Sequence, residues 1–142
     1  GMFFNISLET GKTELIRAVV EGTCMHLRWF LETEDKKTKT SDVLRFVGGG
    51  ALSDVTCQIL ADCTGRTVEV VASPQNVGAV GAAVISAVGL GMIGSIEEAK
   101  KLVPAKKTFI PNPSLKPIYD KNFAVFKNLY KSNKENFAAL NG

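Results

Sequence analysis

The run Gly48-Gly49-Gly50-Ala51, followed by Ser53 and Asp54, is where this sequence comes nearest to chemistry. Residues without a Cβ leave main chain bare, and a flat ligand such as a purine can lie against exposed peptide groups. The same run serves as a tight strand-to-helix turn, and spacing alone leaves both readings open. No Walker lysine follows it, which excludes a loop that wraps phosphates there. A second series, Gly89, Gly91 and Gly94, spells G-x-G-x-x-G. That fingerprint needs a strand before it and a helix after it, whereas this one trails a helical pattern and reads as a helix end and turn.

Other reactive residues are few. His26 is the only histidine, so a multi-histidine metal site is impossible and any Ser-His-Asp mechanism would rest on a single ring. Cys24, Cys57 and Cys63 form no C-x-x-C pair and read as buried small apolar side chains. A phosphotransferase needs a base for the acceptor proton and groups that hold the transferred phosphoryl, and no polar cluster offers that set. Asp42, Asp54 and Asp62 fit a loop, a first helical turn and a polar helix face. No catalytic residue and no metal ligand is therefore assigned. Asn5-Ile6-Ser7 matches a glycosylation sequon with no signal peptide to give it meaning.

The glycine run needs elements to hold it. Val43-Leu44-Arg45-Phe46-Val47 reads as a strand that discharges into the glycines, and Ser53 reads as the N-cap of a helix whose buried stripe is Val55, Ile59, Leu60 and Cys63. Gly65 fits a left-handed stop for that helix. Arg66 to Val71 is a second strand, Ser73 to Asn76 a turn, and Val77 to about Val88 a helix rich in small residues that reads as buried on most sides.

Before the glycine run, Met2 to Leu8 reads as a strand, and Lys12 to about Thr33 as a long amphipathic helix with Leu15, Ile16, Val19, Val20, Leu27, Phe30 and Leu31 at helical spacing. Gly22, in its middle, suggests a close crossing by another backbone. Ser95 and Glu98 match a capping box for a short helix running to about Val103. From there 105–142 reads as a loop broken by Pro111, Pro113 and Pro117 and one closing helix, from Tyr119 to Leu140.

At 142 residues, 45% hydrophobic and 22% charged, the chain has the size and composition of one ordinary domain. No apolar run approaches the roughly 20 residues of a membrane-spanning helix. No membrane partner is expected, and the cytoplasm is the expected compartment. The net charge of +3 is uneven: residues 1–99 carry 8 Lys and Arg against 12 Asp and Glu, and residues 100–142 carry 9 against 2. Lys121, Lys127, Lys131 and Lys134 are spaced among apolar residues as on the wet face of a helix, so no nucleic-acid partner is expected.

Three ordered segments then carry a family resemblance: Phe46-Val47-Gly48-Gly49-Gly50-Ala51-Leu52-Ser53, Gln58 to Asp62 with Thr64-Gly65, and Val80-Gly81-Ala82-Ala83. With Thr13 to Gly22 ahead of them, and Phe109, Pro111 and Tyr119 behind, they resemble the C-terminal domain of the FGGY carbohydrate kinases. The resemblance implies an α/β fold of the actin-like, ribonuclease H-like ATPase kind, here a truncated C-terminal lobe with a mixed sheet flanked by helices. It implies that 1–142 is the nucleotide-binding lobe of a longer kinase, inactive alone, with the sugar lobe and first strands upstream. Gly48, Gly49, Gly50, Ala51, Ser53 and Asp54 would then hold the adenosine of ATP or ADP, with Mg2+ accompanying the phosphates. Asp54 stands where relatives more commonly carry asparagine or a neutral residue, and Gln75 where many carry an acid. The sugar, a ketopentose such as xylulose, would bind mainly outside this chain. A homodimer is compatible with this reading, as is a stand-alone binding or oligomerisation module that has kept the fold.

Overall fold

A computed structural model describes residues 1–98 and 102–141. They form two compact units, one of residues 1–40, 62–65 and 112–141, the other of residues 41–61, 66–98 and 102–111. The second unit holds the sheet. Strand β1 (Val43–Arg45) pairs in parallel with β2 (Thr67–Val71), with Leu44 opposite Val68. A parallel pair needs a crossover, and α2 (Asp54–Thr64) supplies it. Strand β3 (Ala105–Phe109) lies antiparallel on the other side of β2, with Lys107 opposite Val70 and a register shift between Val70 and Val71, so the order is β1-β2-β3.

Val68, Val70 and Val71 of the central strand are buried, together with Ala51 and with Cys57, Ile59, Leu60 and Ala61 of α2. The stripe expected on α2 is therefore shifted: Val55 is 68% exposed, and Cys57 and Ala61 are buried in addition to Ile59 and Leu60. Helix α3 (Val77–Gly89) departs further from expectation, since Val84 is its only buried residue and Ile85 is 65% exposed. Small apolar residues suit close packing, but within the described residues little packs on them.

The other unit is built on α1 (Lys12–Asp35) and α4 (Lys116–Ser132). Glu14 accepts from the Gly11 amide at 3.1 Å and so caps α1. Cys24, Met25, Cys63, Tyr119 and Phe123 are buried. Over the Phe123 ring stand Arg28 at 4.4 Å and Lys127 at 4.3 Å. Trp29 meets Phe126 and Tyr130 edge to face, at 6.3 and 5.5 Å between centroids. Much of the periodic face of α1 stays open, with Ile16, Val19 and Phe30 all exposed. Nothing approaches within 4 Å of where a Cβ on Gly22 would sit, so the close backbone crossing expected there is not seen.

Three further expectations are corrected. Met2 to Leu8 forms no strand: it ends in a turn closed by the Thr10 amide on the Ser7 carbonyl, and no strand pairs with it among the described residues. The segment at 105–109 is a strand instead of loop. The closing helix is two, α4 and α5 (Lys134–Asn141), because the Asn133 side-chain and backbone N–H groups both bond the Leu129 carbonyl and end the first. Ile96–Glu98 is a single 3-10 turn, and the continuation expected towards Val103 passes through residues 99–101, outside the described residues.

Arg28 ties α1 both to the end of α2 and to α4. Its guanidinium donates to the Cys63 carbonyl at 3.0 Å and to Asp120 Oδ1 at 2.6 Å, while Lys116 donates to the other Asp120 oxygen. Lys116 first, then Arg28, hold the Asp120 carboxyl below its ordinary value of 3.8. A carboxylate with a lowered folded pKa contributes stability in full above the unfolded value, and loses it as pH falls through the folded one. Asp120→Asn should therefore lose less thermal stability than wild type as pH is lowered through 3.8 and below. The side chain is 40% exposed, so the difference should stay under about 1 kcal/mol. Parallel melting-temperature curves for the two proteins would refute it.

Candidate functional site

The glycine turn begins where β1 stops. Phe46 still donates to the Glu69 carbonyl at 2.9 Å, and two residues later Gly48 adopts φ +88°, a conformation that side chains with a Cβ rarely take. Its amide donates to the Pro74 carbonyl at 2.9 Å, which ties the turn to the loop after β2. Gly49–Leu52 then form a 3-10 turn, closed by Ala51 N–H to Gly48 O at 3.2 Å and Ser53 N–H to Gly50 O at 3.3 Å. Ser53 is the N-cap foreseen, its Oγ accepting from the Thr56 amide at 3.2 Å.

Gly49 and Gly50 are exposed and Ala51 is buried. The two exposed glycines differ. A Cβ on Gly49 would meet nothing within 4 Å, whereas one on Gly50 would lie 3.0 Å from the Phe46 ring. Gly49 therefore has a free peptide face, and Gly50 keeps an aromatic ring close beneath the turn. Beneath it too, Cys57 is fully buried and its Sγ lies 3.7 Å from the Ala51 carbonyl. Burial, and then Asp54, push that thiol up, so it is a packing group and not a nucleophile.

Asp54 opens α2 next to the turn, and Lys107 of β3 donates to its two oxygens at 2.7 and 2.8 Å. The six residues singled out in the sequence thus form one continuous corner, and Lys107 joins them from 53 positions away. Sequence reasoning missed Lys107 because it missed β3. A Lys-Lys pair between Ala105 and Thr108 looks like loop, and only the strand formers Thr108, Phe109 and Ile110 signalled an edge strand. Gln58 adds a second tie from α2, donating to the Ile110 carbonyl at 2.9 Å. The second glycine series is a helix end, as expected: Gly89 closes α3 and Gly91, at φ +70°, turns the chain.

A mixed sheet flanked by helices, with a bare glycine corner between the first strand and its crossover helix, defines an α/β domain of the actin-like ATPase kind. The FGGY family of carbohydrate kinases, C-terminal domain, matches residues 1–90, and the chain belongs to that family. A xylulose kinase of Lactococcus lactis is 33% identical over 95% of this chain and 27% of its own length. A ribulokinase of Bacillus licheniformis is 31% identical over 92% of this chain and 25% of its own. The crystal structure of xylulose kinase from Rhodospirillum rubrum superposes with a TM-score of 0.84 at 28% identity, over 96% of this chain and 28% of that one. The chain thus spans about a quarter of the length of the relatives it matches.

Proposed function

We propose that this chain is the nucleotide-binding lobe of a longer carbohydrate kinase that transfers the γ-phosphoryl of ATP to a sugar hydroxyl. The observation that carries the reading is the open peptide face at Gly49, held between Gly48, tied to Pro74, and the capped start of α2. The corner offers backbone to a purine, and its one carboxylate, Asp54, is paired with Lys107, so the part assigned to it is affinity and positioning. Mg2+ would come with the nucleotide, coordinated by its phosphates.

In such a kinase, binding energy gathered on adenosine helps close the cleft, exclude water and align the acceptor. The chain by itself is expected to be inactive. D-Xylulose is the sugar we favour, a reading supported by the names of the relatives, among which ribulokinase also stands. The complete kinase assayed with ATP should phosphorylate xylulose with higher kcat/KM than ribulose, gluconate or glycerol. Preference for any of the other three would overturn the sugar assignment and leave the nucleotide lobe standing.

A further inference from the structure

Gly49 and Gly50 are bare for different reasons. Around the position of a Cβ on Gly49 there is open space, but on Gly50 that atom would lie 3.0 Å from Phe46 Cζ and 3.4 Å from Cε1. Carbon atoms pack best at about 3.5–4.0 Å, so the ring already occupies the room that a side chain at position 50 would need. Beyond the chain neighbours of Gly50, no other side chain among the described residues comes within 4 Å of that position. The absent side chain of Gly50 is thus matched by the ring of Phe46.

The ring is delivered from a fixed backbone. Phe46 donates its N–H to the Glu69 carbonyl at 2.9 Å, which carries the pairing of β1 with β2 one residue past Arg45, and its side chain is half-buried. The turn above is fastened at both ends. At one end the Gly48 amide is bound to the Pro74 carbonyl at 2.9 Å; at the other Ala51 is buried, with Cys57 Sγ 3.7 Å from its carbonyl. Between these anchors the Gly49-Gly50 peptide has no side chain to hold it, and two glycines in succession leave the chain its widest conformational freedom. The ring of Phe46 is what lies against it.

We propose that Phe46 is a positioning residue whose ring, seated in the gap left by Gly50, fixes the adjoining Gly49 peptide face for the nucleotide. A surface held in place before the ligand arrives loses less freedom when it binds. This rests on the base being seated at the glycine corner. Gly50 is then bare to admit the ring, and a methyl placed there forces ring and turn apart. If the ring swings aside it ceases to support the turn, and if it stays the turn lifts; either way the Gly49 peptide is displaced.

The test measures kcat and both Michaelis constants of the complete kinase as wild type, Phe46→Leu, Gly50→Ala and the double variant. Phe46→Leu withdraws the tip of the ring and Gly50→Ala crowds it, so each should raise the KM for ATP by about three- to fivefold. In the double variant the new methyl fills the space that leucine vacates, and the KM for ATP should return to within about twofold of wild type. The KM for sugar and kcat should stay within about twofold throughout. Single effects that multiply in the double variant, an unchanged KM for ATP in both single variants, or a parallel rise in the KM for sugar would each overturn the role given to Phe46. Gly49→Val separates the two levels: if that variant leaves the KM for ATP unchanged, the seating of the base fails as well.

Discussion

Gly49→Val in the complete kinase should raise the KM for ATP by roughly 10- to 100-fold while the KM for sugar moves less than about twofold. The expectation follows from the space around that residue. No protein atom lies within 4 Å of the position a Cβ would take, and Gly49 is not among the glycines held at positive φ. The valine methyls would enter the volume assigned to the purine and little else. Gly50→Val is a less clean probe, because its Cβ would start 3.0 Å from Phe46 and the ring would have to give way. Steady-state kinetics with each substrate varied in turn reads the difference. Equal rises in both Michaelis constants would point to general misfolding and remove the support this variant lends to the nucleotide site.

The largest effect on stability should come from Phe123→Ala, at about 3–5 kcal/mol. Phe123 is 2% exposed on α4, and its ring carries two cations, Arg28 at 4.4 Å and Lys127 at 4.3 Å. Truncation removes the buried ring and leaves both cations without its π-face, although each keeps a carboxylate partner, Asp120 for Arg28 and Glu32 for Lys127. Denaturant unfolding of the chain measures this directly. Phe123→Leu, which keeps most of the volume, should lose markedly less; equal losses in the two variants would mean that burial is not what the residue supplies.

The corner around the glycines was legible in the sequence because its signals are local. An apolar run, three residues without side chains and a serine N-cap each act over a few positions, and the structure places the turn and the cap as read, with the strand ending at Arg45 where the reading carried it to Val47. Gly65 and Gly91 likewise announced turns that they make with positive φ. What escaped depends on partners distant in the chain. Lys106 and Lys107 belong to a strand only because β2, far back in the sequence, offers that segment hydrogen bonds. Met2 to Leu8 has strand-forming side chains, and no strand among the described residues pairs with it. Periodicity located α1 and α3 but not the faces they bury: small apolar residues in α3 say that close packing is possible, and cannot say what arrives to pack.

Among the described residues the outward side of β3 ends the sheet, and the lysines that made the segment look like a loop have a second consequence there. A terminal strand offers unpaired amides and carbonyls to any extended peptide that drifts against it. The Lys107 ammonium is spent on Asp54, and Lys106 beside it puts a further charge on the same strand, so a stray strand docking there would meet a charged edge. The border thereby discourages fibrous aggregation between copies, a safeguard that exchanging both lysines for valine should remove.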